Sequence, residues 1–395
     1  MSNSRSAPRR DSACAWDDDP VVASWEGLPR LEQTVTADAC VVGLGGSGLA
    51  AVVELAGRGL RVVGLDGGRV AAGAAGRNGG FLLGGPSAFL HSAVEAWGAP
   101  AVELYRATLA ELDHLAAVLG PDVIARTGSI RLAGLPGAPR DAAEARDRAV
   151  EEADCAALAA ALRDNGIRVE HYEGELGTGV YLPDDAAMNP SRRALKLAAL
   201  LRHSAELYEH SNVRLIDNGR VVTDHGAVHA PVIIVAVDGR LEQVLPELRG
   251  RVRTARLQML CTAEGLPRRL PCPVYGRWGY DYAQQTADGR LFVGGGRDLF
   301  ADAEWTTDTS PTTAVQHYIE YVAERIAGRP VDVVQRWAAS VGYTDDGRPL
   351  CAETRPGVIA VGGYNGTGNL VGAVAARAAV ALALDRTPPP AYLAG

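Results

Sequence analysis

The sequence predicts an α/β fold, α+β overall, in which a Rossmann-type nucleotide-binding domain is joined to a substrate domain built on an antiparallel sheet. Three observations predict it. In residues 38–66 a short apolar run, Cys40-Val41-Val42, ends in the turn Gly43-Leu44-Gly45-Gly46-Ser47-Gly48. An amphipathic run and a second apolar strand follow, closing on Asp66. Residues 358–384 again read strand, glycine turn, helix. Between 253 and 293 the pattern changes to longer alternating strands, with Asp288-Gly289 as a hairpin turn.

Each part of 38–66 meets a physical need. Gly43 permits a tight turn, Gly45 lets backbone approach a pyrophosphate, and Gly48 lets helix and strand pack closely. Phosphates would sit on free N–H groups at the helix N-terminus, where the dipole favours negative charge. Asp66 lies 18 residues after Gly48, the place for a carboxylate gripping ribose hydroxyls. The glycine pattern alone is weak. Strand before, helix after and acid at the right distance make it a dinucleotide site.

Residues 1–30 read as an N-terminal arm, its later part pinned by Trp16 and Trp25. The nucleotide domain then takes 31–85, 183–245 and 336–395, and the substrate domain 86–182 and 246–335. The Ala-Gly-rich stretch 71–85 contains Arg77, Asn78 and Phe81, poor linker residues. Its glycines would let backbone amides reach a flat ring or a phosphate. Helical spacing predicts a helix over 100–119. A strand over 129–132, a helix over 141–164 and a strand over 167–172 follow, then a turn-rich loop, 183–190. Asn189-Pro190 starts a helix over 191–208. Short strands cover 213–216, 221–223, 227–229 and 232–237, the last almost wholly apolar, as in a parallel sheet buried on both faces. Strands over 256–262, 277–286 and 291–294, a helix over 312–328 and an edge-like strand over 331–337 build the second domain.

The late unit lacks the fingerprint's glycine order and a following acid. It reads as a helix aimed at a cofactor that the first unit binds. N–H groups of Gly366 to Asn369 there would stabilise an anion, such as the N1–C2=O edge of a reduced flavin.

Net charge is −8, with arginines scattered rather than blocked, which argues against a nucleic-acid surface. No run of 18 apolar residues appears, so no membrane span is expected. The first 20 residues have no apolar core segment and do not read as a secretory signal. The six cysteines form no CxxC pair and the eight histidines no HExxH, which leaves reduced thiols, no metal site and a cytoplasmic setting.

Several motifs then occur in one order: GLGGSG with Asp66, GRNGGF at 76–81, MNPSR at 188–192, WGYDYAQQTADGRLFVGGGRD at 278–298, RWAASVGYTDDGRPL at 336–350 and GGYNGTGN at 362–369. Together they resemble the FAD-dependent D-amino acid oxidase superfamily over roughly 24–385, nearest the glycine oxidase, sarcosine oxidase and gamma-glutamylputrescine oxidoreductase-like subgroup. The resemblance implies FAD on Gly43, Gly45, Ser47, Gly48 and Asp66, with Ala236 at the end of its strand. It lays Arg77, Asn78, Gly79 and Gly80 along the isoalloxazine, and Gly363, Tyr364, Asn365, Gly366, Thr367, Gly368 and Asn369 at its pyrimidine edge. Tyr280, Tyr282, Trp337 and Tyr343 are the candidate catalytic pocket wall. It also implies oxidation of a C–N bond of a small-molecule amine or modified amino acid to an imine, by hydride transfer to flavin N5. O2 would take the electrons and leave H2O2.

Departures sharpen this. Relatives that clamp a substrate carboxylate place an arginine where this chain has Val341, and valine cannot mimic a bidentate fork. Arg277, Arg297 or Arg336 are the candidates to replace it. Flavin-linking relatives carry a cysteine near the same turn, whereas Cys351 lies ten residues on, so FAD is expected to be non-covalent. Thr367 stands where relatives read histidine, and Asp238 where they read a neutral residue. Alternatives are an NAD(P)-linked dehydrogenase, a flavin dehydrogenase with another acceptor, and a redox-silent flavin-binding subunit.

Overall fold

Apolar strands without polar interruption seed a parallel sheet. In the computed structural model, which describes residues 14–395, a six-stranded sheet runs Glu206–Tyr208, Val62–Leu65, Ala39–Val42, Val232–Val235, Val358–Gly362 and Leu350–Arg355. All neighbours are parallel except the last pair. Side chains alternate between its faces. Val41, Ile234 and Ile359 pack under the helices Gly46–Gly57 and Gly368–Asp385, with Leu49, Val52 and Val371. Cys40, Ile233 and Val358 face the other way, against Ile216, Val221 and Val228 of a four-stranded sheet. Each fully buried Val, Leu or Ile contributes roughly 1.5–3 kcal/mol, so this two-sided burial fixes the register.

The second sheet has eight strands: Val333–Tyr343, Arg253–Thr262, Leu291–Gly294, Asp281–Gln285, Val274–Gly276, Ser129–Leu132, Gly177–Leu182 and Glu170–Gly174. It is antiparallel except where Val274–Gly276 runs parallel to Ser129–Leu132. The helix Thr313–Ala327 covers it with Val315, Ile319 and Val322.

Several expectations are corrected. Residues 1–13 of the arm lie outside the described residues, but 14–30 are no arm. Trp16 is 3% exposed and stacks on Phe292 with centroids 3.6 Å apart, while Trp25 Nε1 donates to Glu209. The helix expected over 191–208 ends at Leu201, because Glu206–Tyr208 finds a partner at the parallel sheet's edge. The loop 183–190 contains the strand Ala186–Met188, paired with Phe81–Leu82 and Ile124–Ala125. The strand expected over 167–172 lies at Glu170–Gly174. The strand over 277–286 begins only at Asp281, after a turn in which Arg277 and Trp278 have φ of 50° and 57°. The edge strand Val333–Tyr343 pairs along its length with Arg253–Thr262, so the last nucleotide-domain segment starts beyond 343 rather than at 336.

The helix Leu90–Trp97 and the strand Leu350–Arg355 had no sequence expectation. Gly368–Asp385 is long and apolar enough to cross a membrane, contrary to the composition reading, but half of it is buried against the sheet and Gly46–Gly57. It is a core helix.

Candidate functional site

The two glycine turns open on one cavity of about 1390 Å³. From the parallel sheet it is lined by Gly43, Gly45, Gly46, Ser47, Asp66 and Ala236, and by Tyr364, Asn365, Gly366, Thr367, Gly368 and Asn369. Both long helices therefore begin at its wall, and two N-termini favour anionic groups there. Gly43 adopts φ 94°, and a Cβ on it would lie 2.7 Å from Ala236 O. A Cβ on Gly48 would stand 1.7 Å from Gly43 O. Gly48 therefore packs the turn and does not itself reach the cavity.

Asp66 is partly buried, with Oδ2 accepting from Leu44 N at 2.8 Å and Oδ1 from Gly68 N at 2.9 Å. The acid thus holds the glycine turn in place, and its remaining lone pairs stay open to hydroxyls. Burial pushes its pKa up to about 6 against the two N–H donors.

The loop after the second strand is held by its carbonyls. Gly76 O accepts from Ser191 Oγ at 3.0 Å, Arg77 O from Trp337 Nε1 at 2.8 Å and Asn78 O from Trp16 Nε1 at 2.8 Å. Gly79 O accepts from Gln284 Nε2 and Gly80 O from Met188 N, each at 2.8 Å. Every carbonyl from 76 to 80 is engaged by protein, on a loop of which Arg77, Asn78 and Gly79 line the cavity. Arg77 also donates to Ala338 O at 3.4 Å.

Tyr275, Tyr282 and Tyr343 line the cavity from the eight-stranded sheet, with Trp278 and Tyr280 from the turn before Asp281. Burial pushes the Tyr343 phenol up to about 12 and Tyr282 higher still. Trp278 sits on the strained turn, where its Nε1 donates to Asp154 and its N–H to Glu151. A non-glycine residue at positive φ costs of order 1–3 kcal/mol and marks a constrained position.

Three candidates besides Gly48 do not line the cavity. Trp337 faces away from it, because the indole is buried beside Phe292 and Trp16 and its Nε1 is bound to Arg77 O. Gly80 has its N–H on Asn78 Oδ1 and its carbonyl on Met188. Gly363 gives its carbonyl to Asn365 Nδ2. These positions shape the wall from behind.

Of the three arginines weighed for the missing clamp, Arg277 pairs with Asp281 and Asp298 and Arg336 with Glu320. Only Arg297 of the three lines the cavity, stacked over Tyr343 at 4.5 Å and Trp305 at 5.6 Å. Val341 lines it too, among Ala338, Ala339 and Ser340. Asp238, at φ 51°, accepts from Gly342 N and Tyr364 N, each at 3.2 Å, and so ties both sheets together. Sequence reasoning missed Gln284, Trp16 and Arg131 as parts of this wall or its support. Polar Gln284 within an aromatic strand was the one available signal.

The six cysteines are all buried, none lines the cavity, and burial pushes Cys351 up to about 12. No cluster of His, Cys, Asp and Glu able to hold a metal occurs among the described residues.

Comparison with known proteins follows the same lines. A family model described as FAD dependent oxidoreductase matches residues 38–382. The chain is 25% identical over 391 residues to a protein of Rhizobium meliloti (strain 1021) described as probable oxidoreductase OrdL, covering 91% of this chain and 86% of that one. It is 28% identical over 292 residues to the gamma-glutamylputrescine oxidoreductase of Escherichia coli (strain K12), covering 67% of this chain and 66% of that one. Its fold is similar to that of glycine oxidase from Geobacillus kaustophilus, at TM-score 0.67 and 21% identity, covering 89% and 95% of the two chains. L-proline dehydrogenase from P. horikoshii is also similar in fold, at TM-score 0.69 and 17% identity over 92% and 96%.

Proposed function

The chain belongs to the FAD dependent oxidoreductase family, and from that premise we propose that it oxidises a C–N bond of a small amine or modified amino acid to an imine. The observation that carries this reading is the single cavity shared by a glycine fingerprint, a second helix N-terminus and an aromatic wall from the other sheet. The residues present fit FAD. Gly43, Gly45, Ser47 and the first helix N-terminus would take the pyrophosphate, and Asp66 the ribose. The loop at Arg77, Asn78 and Gly79, with Gly366 to Asn369, would take the ring. When bound, FAD supplies the chemistry by accepting a hydride from the carbon that bears nitrogen, and dioxygen then accepts the electrons and gives peroxide.

The chain's own residues orient the substrate and keep water away. Tyr275, Tyr282 and Tyr343 enclose the cavity where the ring-binding loop ends. Their phenols are protonated at neutral pH, as a phenol ordinarily is, and burial raises each of them further. They can donate hydrogen bonds but cannot take a proton, so the amine is proposed to react as its neutral form without a side-chain base. The helix N-terminus at Gly368 stabilises negative charge facing it. With no cysteine on the wall, FAD is proposed to be held without a covalent bond.

The test is anaerobic addition of an amine panel to FAD-loaded protein, followed by a peroxide assay in air. Bleaching of the yellow flavin by at least one amine, with peroxide on reoxidation, is the expected result. A flavin that stays oxidised with every amine and amino acid of both hands overturns the reading.

A further inference from the structure

The cavity also contains a guanidinium with no anion bonded to it, although its charge reaches the buried Asp185. Arg131, on the strand Ser129–Leu132, lines the cavity and is 7% exposed. None of its nitrogens makes a hydrogen bond or ion pair with any described residue, and its Nε is sealed from solvent. Two rings hold it instead: its Cζ lies 5.3 Å from the Phe89 centroid and 5.9 Å from that of Tyr275.

The acids of this region are engaged elsewhere. Asp185 accepts from Ser129 Oγ and Gly84 N, Glu151 from Gly134 N and Trp278 N, and Asp154 from Trp278 Nε1. Taking a charge out of water without a partner is strongly unfavourable, and ring faces offset only part of that cost. A buried, unpaired guanidinium that opens on a ligand cavity is therefore built for an anion the protein does not supply.

We propose that Arg131 is a specificity-determining residue that binds a carboxylate carried by the substrate. The proposal rests on the amine-oxidation reading and narrows it to amines that also bear an acid group. It places the acid-binding function on a strand of the eight-stranded sheet, not at Val341 and not at the three arginines the sequence offered. Tyr275 connects the subsite to the flavin loop, with its ring 5.0 Å from Phe81 and 5.8 Å from Tyr282. Both of those rings approach within 3.2 Å of a Cβ built on Gly79. One aromatic layer thus separates the guanidinium from the loop proposed to carry the ring. A planar fork with two parallel donors suits a carboxylate better than a point charge does.

The test uses FAD-loaded protein and two probes, anthranilate and aniline, which differ only by the carboxylate. Calorimetric titration compares wild type with Arg131→Met, Arg131→Lys and Arg297→Met. Anthranilate affinity is expected to fall at least tenfold in Arg131→Met, to fall less in Arg131→Lys and to hold in Arg297→Met, with aniline unchanged throughout. Unchanged anthranilate affinity in Arg131→Met overturns the proposal, as does equal weakening of both probes in both Arg131 variants. Neither probe needs to be turned over. If no amine bleaches the flavin but anthranilate still depends on Arg131, the oxidation reading falls while the anion subsite stands.

Discussion

Asn78 and Asn369, 291 positions apart, exchange a pair of amide hydrogen bonds: Asn78 Nδ2 donates to Asn369 Oδ1 at 3.2 Å, and Asn369 Nδ2 to Asn78 Oδ1 at 3.1 Å. Asn78 also ties back to Ala74 O, and Asn369 reaches Phe81 O at 2.8 Å. The pair fastens the loop at 76–80 to the first turn of the helix Gly368–Asp385, the two segments proposed to hold the flavin ring. Alanine at either position is expected to weaken FAD binding about tenfold, since a net hydrogen bond is worth roughly 0.5–1.5 kcal/mol and an orphaned partner costs more. Fluorescence titration of FAD across the two single variants and the double variant is expected to show coupling of about 0.5–3 kcal/mol. Additive losses would mean that the two amides act separately.

Asp66 sets a pH dependence. As pH falls through about 6 its carboxyl gains a proton and loses the charge with which it accepts hydroxyl donors. FAD affinity is therefore expected to drop between pH 7.5 and 5. For the protein without FAD the sign is opposite: a raised pKa stabilises the fold at low pH, and that contribution is lost as pH rises through about 6. Asp66→Asn should flatten the binding profile and lower affinity at pH 7.5 by about 1.5–3 kcal/mol, the scale of a hydrogen bond to a charged group. A wild-type affinity constant from pH 7.5 to 5 would refute this.

Trp337 is a support and not a wall. Trp337→Phe keeps most of the buried ring but leaves Arg77 O without its donor, at a cost of about 1–3 kcal/mol. The expected result is faster FAD release with an unchanged KM for any amine that is turned over. Trp16→Phe removes the donor to Asn78 O and should act in the same direction. A raised KM with unaltered FAD release would put Trp337 back among the substrate contacts.

Glu151 accepts the N–H groups of Gly134 and Trp278 inside the second domain, and burial pushes it up to about 7. Its contribution to stability is complete below the usual glutamate range and is lost as pH rises through about 7. With one pKa unit equal to about 1.4 kcal/mol, the loss is on the order of 3 kcal/mol. Thermal unfolding should thus show a wild-type Tm that falls from pH 5 to pH 8, and a Glu151→Gln Tm that falls less. Equal falls would assign the pH dependence to other groups.

Denaturation tests how FAD is held. Acid precipitation of the yellow protein should leave all flavin in the supernatant, in wild type and in Cys351→Ser alike. Flavin retained in the wild-type pellet would show a covalent link.

The nucleotide-binding turn was legible because it is local. The strand, glycine spacing, helix and acid at 38–66 lie within 29 consecutive positions, and backbone sterics leave no room for a Cβ at Gly43 or Gly48. The strand 277–286 failed for the opposite reason. Its alternating residues fit a strand by pattern, but the ion pairs of Arg277 with Asp281 and Asp298 hold the first three in a left-handed turn. The helix expected to run to Tyr208 was cut short because a sheet edge 143 positions upstream offered hydrogen bonds to Glu206–Tyr208.

Residue order alone was enough for two glycine-turn units, an alternating sheet between them and the chemistry of a dinucleotide. Those features depend on neighbours within a few turns of chain. Tertiary structure alone decided that Trp337 faces the back of the cavity while Tyr282 faces its front, and that Arg131 ends there between two rings with no counterion bound to it. Which side of a strand meets a ligand, and whether a charge finds its counterion, depends on residues brought together from distant parts of the chain. No spacing rule encodes that meeting.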